Sequence, residues 1–244
     1  MKNYIYLTIC ILFLTISCGP SKSELAEKEK SISDSLEMVR QQVELEKKRV
    51  ELERIHLENV EVGKSIKATK LNEILDGLKL NLTTAERNLE EINKFQIGRS
   101  QQEKNAQVKR ETLQINRLRS MIQRVQKEVS LTKLFNSFEF QETPQGVVNH
   151  IFQSAKDKSY DKMRHLIDPY GEFDTDAFQL CYIEMYGEEG QQEWSEAFEN
   201  GRIMGDPIYN EDKCTIEIAY GLSSDKLETI NLVKRLNRWY MTSF

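Results

Sequence analysis

The sequence predicts an α+β protein. A long helical, coiled-coil N-terminal region precedes a small domain of helices packed on a curved antiparallel sheet. Three observations predict it. The 244 residues are 30% charged and hold only 4 Pro and 11 Gly, a composition that favours long helices over many short strands. Between Ile32 and Val129 apolar residues recur at steps of three and four in three separate seams. After Gly201 the apolar period switches to two. The length fits one or two domains.

The N-terminus comes first. Lys2 precedes an apolar run, Tyr4 to Ile16, that is too short to cross a bilayer, which takes about 20 residues. It ends Leu14-Thr15-Ile16-Ser17-Cys18, followed by Gly19-Pro20-Ser21. This resembles a bacterial lipoprotein signal with its lipobox: Ser17 is the small residue before the cysteine, and Thr15 stands where that family usually has an aliphatic residue. The resemblance implies a signal peptide over 1–17 and a diacylglyceryl thioether on Cys18. Cys18 would become an acylated, palmitate-bearing N-terminus on a short tether, 18–23. Each buried CH₂ adds about 0.8 kcal/mol of membrane affinity, so two or three chains anchor stably. The address is then the bacterial cell envelope. Gly19 in place of Asp favours the outer membrane by analogy. The alternative is an ordinary cleaved signal with Cys18 incidental.

Residues 24–136 read as a stalk or hairpin. Ile32, Leu36, Val39 and Val43 form a helical seam that weakens where Glu46 takes a core position. Val50, Leu52, Ile55 and Leu57 rebuild a broader stripe, and Gly63 is the first break. Leu71, Leu75, Leu78, Leu82, Ala85, Leu89 and Ile92 form the cleanest seam. Thr83 with Glu86 has the form of a capping box inside it, a competing local signal. Gly98 is the second break, Ser100 a cap, and Val108, Ile115, Leu118, Ile122, Val125 and Val129 a third seam. The prediction is three helices, 24–62, 65–97 and 101–136. Their stripes need partners: each other, or another copy of the chain. The mixed charges read as solvated faces.

Residues 143–244 read as the α+β head. Thr143-Pro144 is an N-cap with Pro at the first helical position. A helix runs from there to about Lys158, a second spans Tyr160 to Ile167, and helical stretches follow at 174–186 and 189–199. Strands are expected at 203–209, 213–220, 227–236 and 238–244. Asn210-Glu211-Asp212, Gly221 to Asp225, and Asn237 supply the turns. Short connections imply an antiparallel meander.

Thr143-Pro144-Gln145-Gly146-Val147-Val148 at a helix start, Ser159-Tyr160-Asp161-Lys162 leading into a second, and the closing Leu232 to Tyr240 segment resemble a nuclear-transport-factor-2-like domain. The likeness is to the small versions carried by bacterial lipoproteins. It implies a cone of helices against a bent sheet, often with a pocket at its mouth. Members include isomerases, dehydratases, ligand binders and protein-binding modules, so fold alone does not select a function.

The pocket candidates are Asp168 as a base with Tyr170 or Tyr182 as an oxyanion donor, following isomerase-type members. Against that, Asp168-Pro169 reads as a turn, Asp174 as an N-cap and His165 as a surface residue. Trp239 reads as core. Cys181 and Cys214 are either a disulfide, which export permits, or two buried thiols. No metal-ligand spacing or cofactor motif is present, and a net charge of −5 argues against nucleic acid. The acidic excess sits in residues 143–244 and around Trp194. It suits a basic partner or divalent cations, or serves solubility.

The expected function is a non-catalytic, membrane-anchored scaffold or binding module. It would act through self-association or a protein partner at the coiled coil, and through the C-terminal domain. The alternative is a tethered pocket enzyme or small-ligand binder of the isomerase/dehydratase-like cone fold. A deep polar cavity with a buried carboxylate would favour the enzyme. A head packed solid with Phe152, Phe178, Ile216 and Trp239 would oppose it.

Overall fold

A computed structural model describes residues 22–94 and 100–244. The expected signal peptide, Cys18, most of the tether and the Gly98 break lie outside the described residues. The fold is α+β, as the sequence predicts. The chain divides into two units, 1–55 and 56–244.

Two long helices replace the expected three: α1, Lys22–Lys94, and α2, Gln101–Leu131. In the first unit every described residue is helical. Ile32, Leu36, Val39, Val43 and Val50 are all exposed there, Leu36 at 55% and Val43 at 49%. Ion pairs one turn apart line this stretch, among them Lys48–Glu44 at 3.0 Å and Arg54–Glu51 at 2.6 Å. Such pairs stabilise an isolated helix by about 0.2–0.5 kcal/mol each.

The second unit begins at His56. Helix α1 passes through Gly63 without a break. The glycine is there for close approach: a Cβ on it would lie 1.9 Å from the Pro169 carbonyl oxygen. Further along, Val60, Leu71, Leu75 and Ala85 are buried. The Thr83–Glu86 box does not form. Instead the Thr83 hydroxyl donates back to the Lys79 carbonyl within the unbroken helix. Ser100 does cap α2, in a reciprocal box with Glu103. The two helices run antiparallel, since Arg119 pairs with Glu86 at 2.7 Å and Lys104 donates to the Asn93 carbonyl at 3.1 Å.

Helix α2 stops at Leu131, short of the expected 136. The chain then turns to bring the Phe135 ring 5.8 Å from His56 and 6.3 Å from Tyr240. Buried Gln141 closes this joint, donating to the carbonyls of His165 (3.0 Å) and Trp239 (3.4 Å).

The head follows the predicted order. Helix α3, Pro144–Asp157, is capped by Thr143, whose hydroxyl accepts from the Gly146 N–H. The expected second helix is only a 3-10 turn, Met163–His165. Helix α4, Thr175–Cys181, starts at the Asp174 cap and is followed by a 3-10 turn, Ile183–Met185. Helix α5 is Glu188–Phe198. Strands β1, Arg202–Asn210, β2, Lys213–Tyr220, β3, Lys226–Arg235, and β4, Arg238–Ser243, form an antiparallel meander in the order β1-β2-β3-β4. A bulge interrupts the β1–β2 register between Met204 and Ile208. Gly205 there takes φ +72°, and Pro207 two residues on has no N–H to offer the ladder.

One core joins these layers. Phe152, Phe178, Ile216 and Trp239 are buried in it together with Leu71 and Leu75 of α1 and Val125 of α2. Part of the expected stalk is therefore a wall of the head's own core.

Candidate functional site

Three places in the second unit hold side chains with chemistry. The first surrounds Asp168. Residues 166–168 pair with β4: Met241 N–H donates to the Leu166 carbonyl (2.7 Å) and Asp168 N–H to the Met241 carbonyl (2.9 Å). This places the Asp168 carboxylate at 0% exposure. Arg235 Nε donates to its Oδ1 at 2.9 Å, while Oδ2 accepts the backbone N–H groups of Tyr170 (3.1 Å) and Glu172 (3.0 Å). Arg235 also reaches Glu172 at 2.7 Å and lies 4.4 Å from the centre of the Tyr170 ring. The Tyr170 hydroxyl meets His56 Nδ1 at 2.8 Å. Burial, followed by the positive charge of Arg235, lowers the His56 pKa.

Asp168 is thus both the turn residue the sequence indicates and a buried anchor. It clamps the turn that Gly63 touches. Arg235 thus occupies Oδ1 and two backbone N–H groups occupy Oδ2.

The second place is a small cavity of about 10 Å³, room for one water, between α1 and the head. Lys67, Thr132, Arg164, His165 and Tyr182 contribute its polar groups. Lys67 is 8% exposed. Burial lowers its pKa to about 8, only partly opposed by Asp168 and Cys181. Arg164 is fully engaged: Nε and Nη2 each donate at 2.8 Å to buried Glu128 of α2, and Nη2 pairs also with Glu184. His165, expected at the surface, is half-buried, and burial with the Arg164 and Lys67 charges lowers its pKa to about 4. His150 stacks on Phe140 at 3.8 Å, and burial and Lys162 lower its pKa to about 4.

The structure therefore separates the predicted trio. Asp168 and Tyr170 share one turn, and Tyr182 lies in the core, stacked on Phe178 at 4.4 Å. Asp168 does not line the small cavity. Cys181 and Cys214 are both free and buried in the structure, and burial raises the pKa of each thiol.

The third place was not singled out by sequence reasoning. It is an open groove of about 580 Å³ between α4, α5 and the end of the sheet at Tyr220, Glu228 and Phe244. The signal for it lay in the acidic segment around Trp194, whose aromatic spacing points one face of α5 at the groove.

Among the described residues no group of three or more His, Cys, Asp or Glu is placed to hold a metal ion, and no helix is long and apolar enough to cross a membrane. No protein-family model, curated protein or solved structure matches the chain.

Proposed function

We propose that the protein is a non-catalytic, membrane-anchored lipoprotein of the bacterial cell envelope that works as a scaffold. Cys18 would carry the lipid, the first part of α1 would pair with a second copy, and the α+β head, of nuclear-transport-factor-2-like type, would be presented by that pair. One observation carries this reading: the four-three stripe of the first unit is exposed along its length.

The occupant argued for is a second, parallel copy. Leu36, Val43 and Val50 take the a positions, and Ile32, Val39, Glu46 and Glu53 the d positions. In a parallel pair each d residue packs beside the partner's e residue. Lys47 and Arg54 hold those e positions, so Glu46, which weakens the seam, and Glu53 meet cations across it. At 1.5 Å per residue, a helix over 22–55 supplies about 50 Å of pairing surface. The non-catalytic reading is supported by Asp168, whose two oxygens are already occupied.

Light scattering on residues 19–244 tests the pairing. A dimer is expected, reduced to monomer by Leu36→Glu with Val43→Glu. A monomer at the highest soluble concentration would sink the scaffold. Labelled palmitate should follow the chain and be lost in Cys18→Ser; equal labelling of that variant would refute the anchor.

A further inference from the structure

We propose that the groove on the head binds a small, soluble organic ammonium ion with an apolar body, a role distinct from the scaffold. The walls are aromatic. Trp194 and Phe198 of α5 stand 5.1 Å apart between ring centres, and Phe198 stacks on Tyr220 at 5.0 Å with 8° between planes. Phe244 closes the group at 5.7 Å from both Phe198 and Tyr220. The indole Nε1 of Trp194 is buried and without an acceptor among the described residues. What Trp194 offers the groove is therefore ring surface, not a hydrogen bond.

The rim carries one sign of charge. Asp176, Glu193 and Glu228 line the groove, all three exposed, and among the described residues no Lys, Arg or His does. None of the three forms an ion pair with the described residues, although elsewhere the second unit pairs its acids freely: Glu128 with Arg164, Asp168 with Arg235, Glu142 with Arg238. A cation already finds one of these rings attractive, since Lys226 Nζ lies 5.8 Å over Tyr220.

Ring faces and unpaired carboxylates attract the same thing. An ammonium, above all a quaternary one, gains from the ring quadrupole without needing hydrogen-bond partners. The carboxylates add Coulomb attraction, and an apolar body displaces water from half-buried Trp194, Ala197 and Phe244. The volume of about 580 Å³ falls within the range of small-molecule sites, about 300–1,000 Å³.

The test titrates benzyltrimethylammonium into the full chain, followed by calorimetry and tryptophan fluorescence, with benzoate as the anionic counterpart. Saturable binding of the cation, at least tenfold tighter than benzoate, is expected. Glu193→Gln and Asp176→Asn, both at exposed positions, should each weaken it about three- to tenfold. Trp194→Leu should abolish it, with circular dichroism checking that the fold persists. Equal binding of cation and anion overturns the proposal, as does cation binding untouched by both carboxamide variants. Binding only of vesicles bearing trimethylammonium headgroups, or only of a lysine-rich peptide, overturns it too. The oligomeric state is read separately, so a monomeric chain leaves this result intact.

Discussion

Residues 32–50 and residues 60–85 of α1 carry the same kind of apolar stripe and meet opposite fates. Leu36 and Val43 are about half exposed, while Leu71 is at 0%. Both step by three and four, the second with fewer interruptions. What differs is the residues between the apolar ones. The second stretch holds Gly63, which lets the Pro169 carbonyl touch the helix backbone, and Leu71, which enters the core of the head. A heptad pattern states that a helix needs a partner; the small and polar positions state which partner.

Removing what holds the second stretch in place sharpens the contrast, and the largest effect is expected at Asp168. Asp168→Ala leaves Arg235 with Glu172 as its remaining ion-pair partner, takes the acceptor from the Tyr170 and Glu172 N–H groups and frees the turn under Gly63. About 3–5 kcal/mol of stability should be lost, read by denaturant titration. Leu36→Glu with Val43→Glu, on the exposed stretch, should leave the unfolding free energy of the monomer within about 0.5 kcal/mol of the parent.

Lys67 comes next, with the opposite sign. Its folded pKa is about 8 against 10.5 for the free side chain, so between these values the unfolded chain binds more protons. Stability should therefore rise as pH climbs from 8 toward 10.5, and the charged form should cost about 3 kcal/mol below that window. Lys67→Met should raise Tm at neutral pH and erase the alkaline gain. An unchanged pH profile would show that the amine is solvated.

The smallest effects come as a pair. Gly63→Ala must push back a backbone carbonyl and should cost about 1–3 kcal/mol, with faster amide exchange over 56–75. Gly77→Ala, in the same helix with nothing within 4 Å of the added carbon, should gain about 0.5–1 kcal/mol. Equal signs for the two would mean that Gly63 is an ordinary helical glycine.

Much of the fold was legible in the sequence. The period-two runs located all four strands, and Thr143-Pro144, Asp174 and Ser100 marked helix starts through caps that form. The errors share a cause. Glycine at 63 signals a break or a close approach, and only the tertiary neighbour decides between them. Lys67 reads as one more solvated charge on an amphipathic helix until the head covers it. Asp168 looked available for proton transfer because its partner, Arg235, lies far along the chain on another element. The groove was the least legible feature, because Trp194, Tyr220 and Phe244 come from three separate segments.

The contact at Gly63 has a mechanical consequence. One step along an α-helix advances 1.5 Å and rotates about 100°. A slip of a single residue would drive the side chain of Val62 or Lys64 into the Pro169 carbonyl. The joint between residues 56–94 and the head therefore has one register, like a key in a slot. A torque applied to that segment is delivered to the sheet rather than lost in sliding.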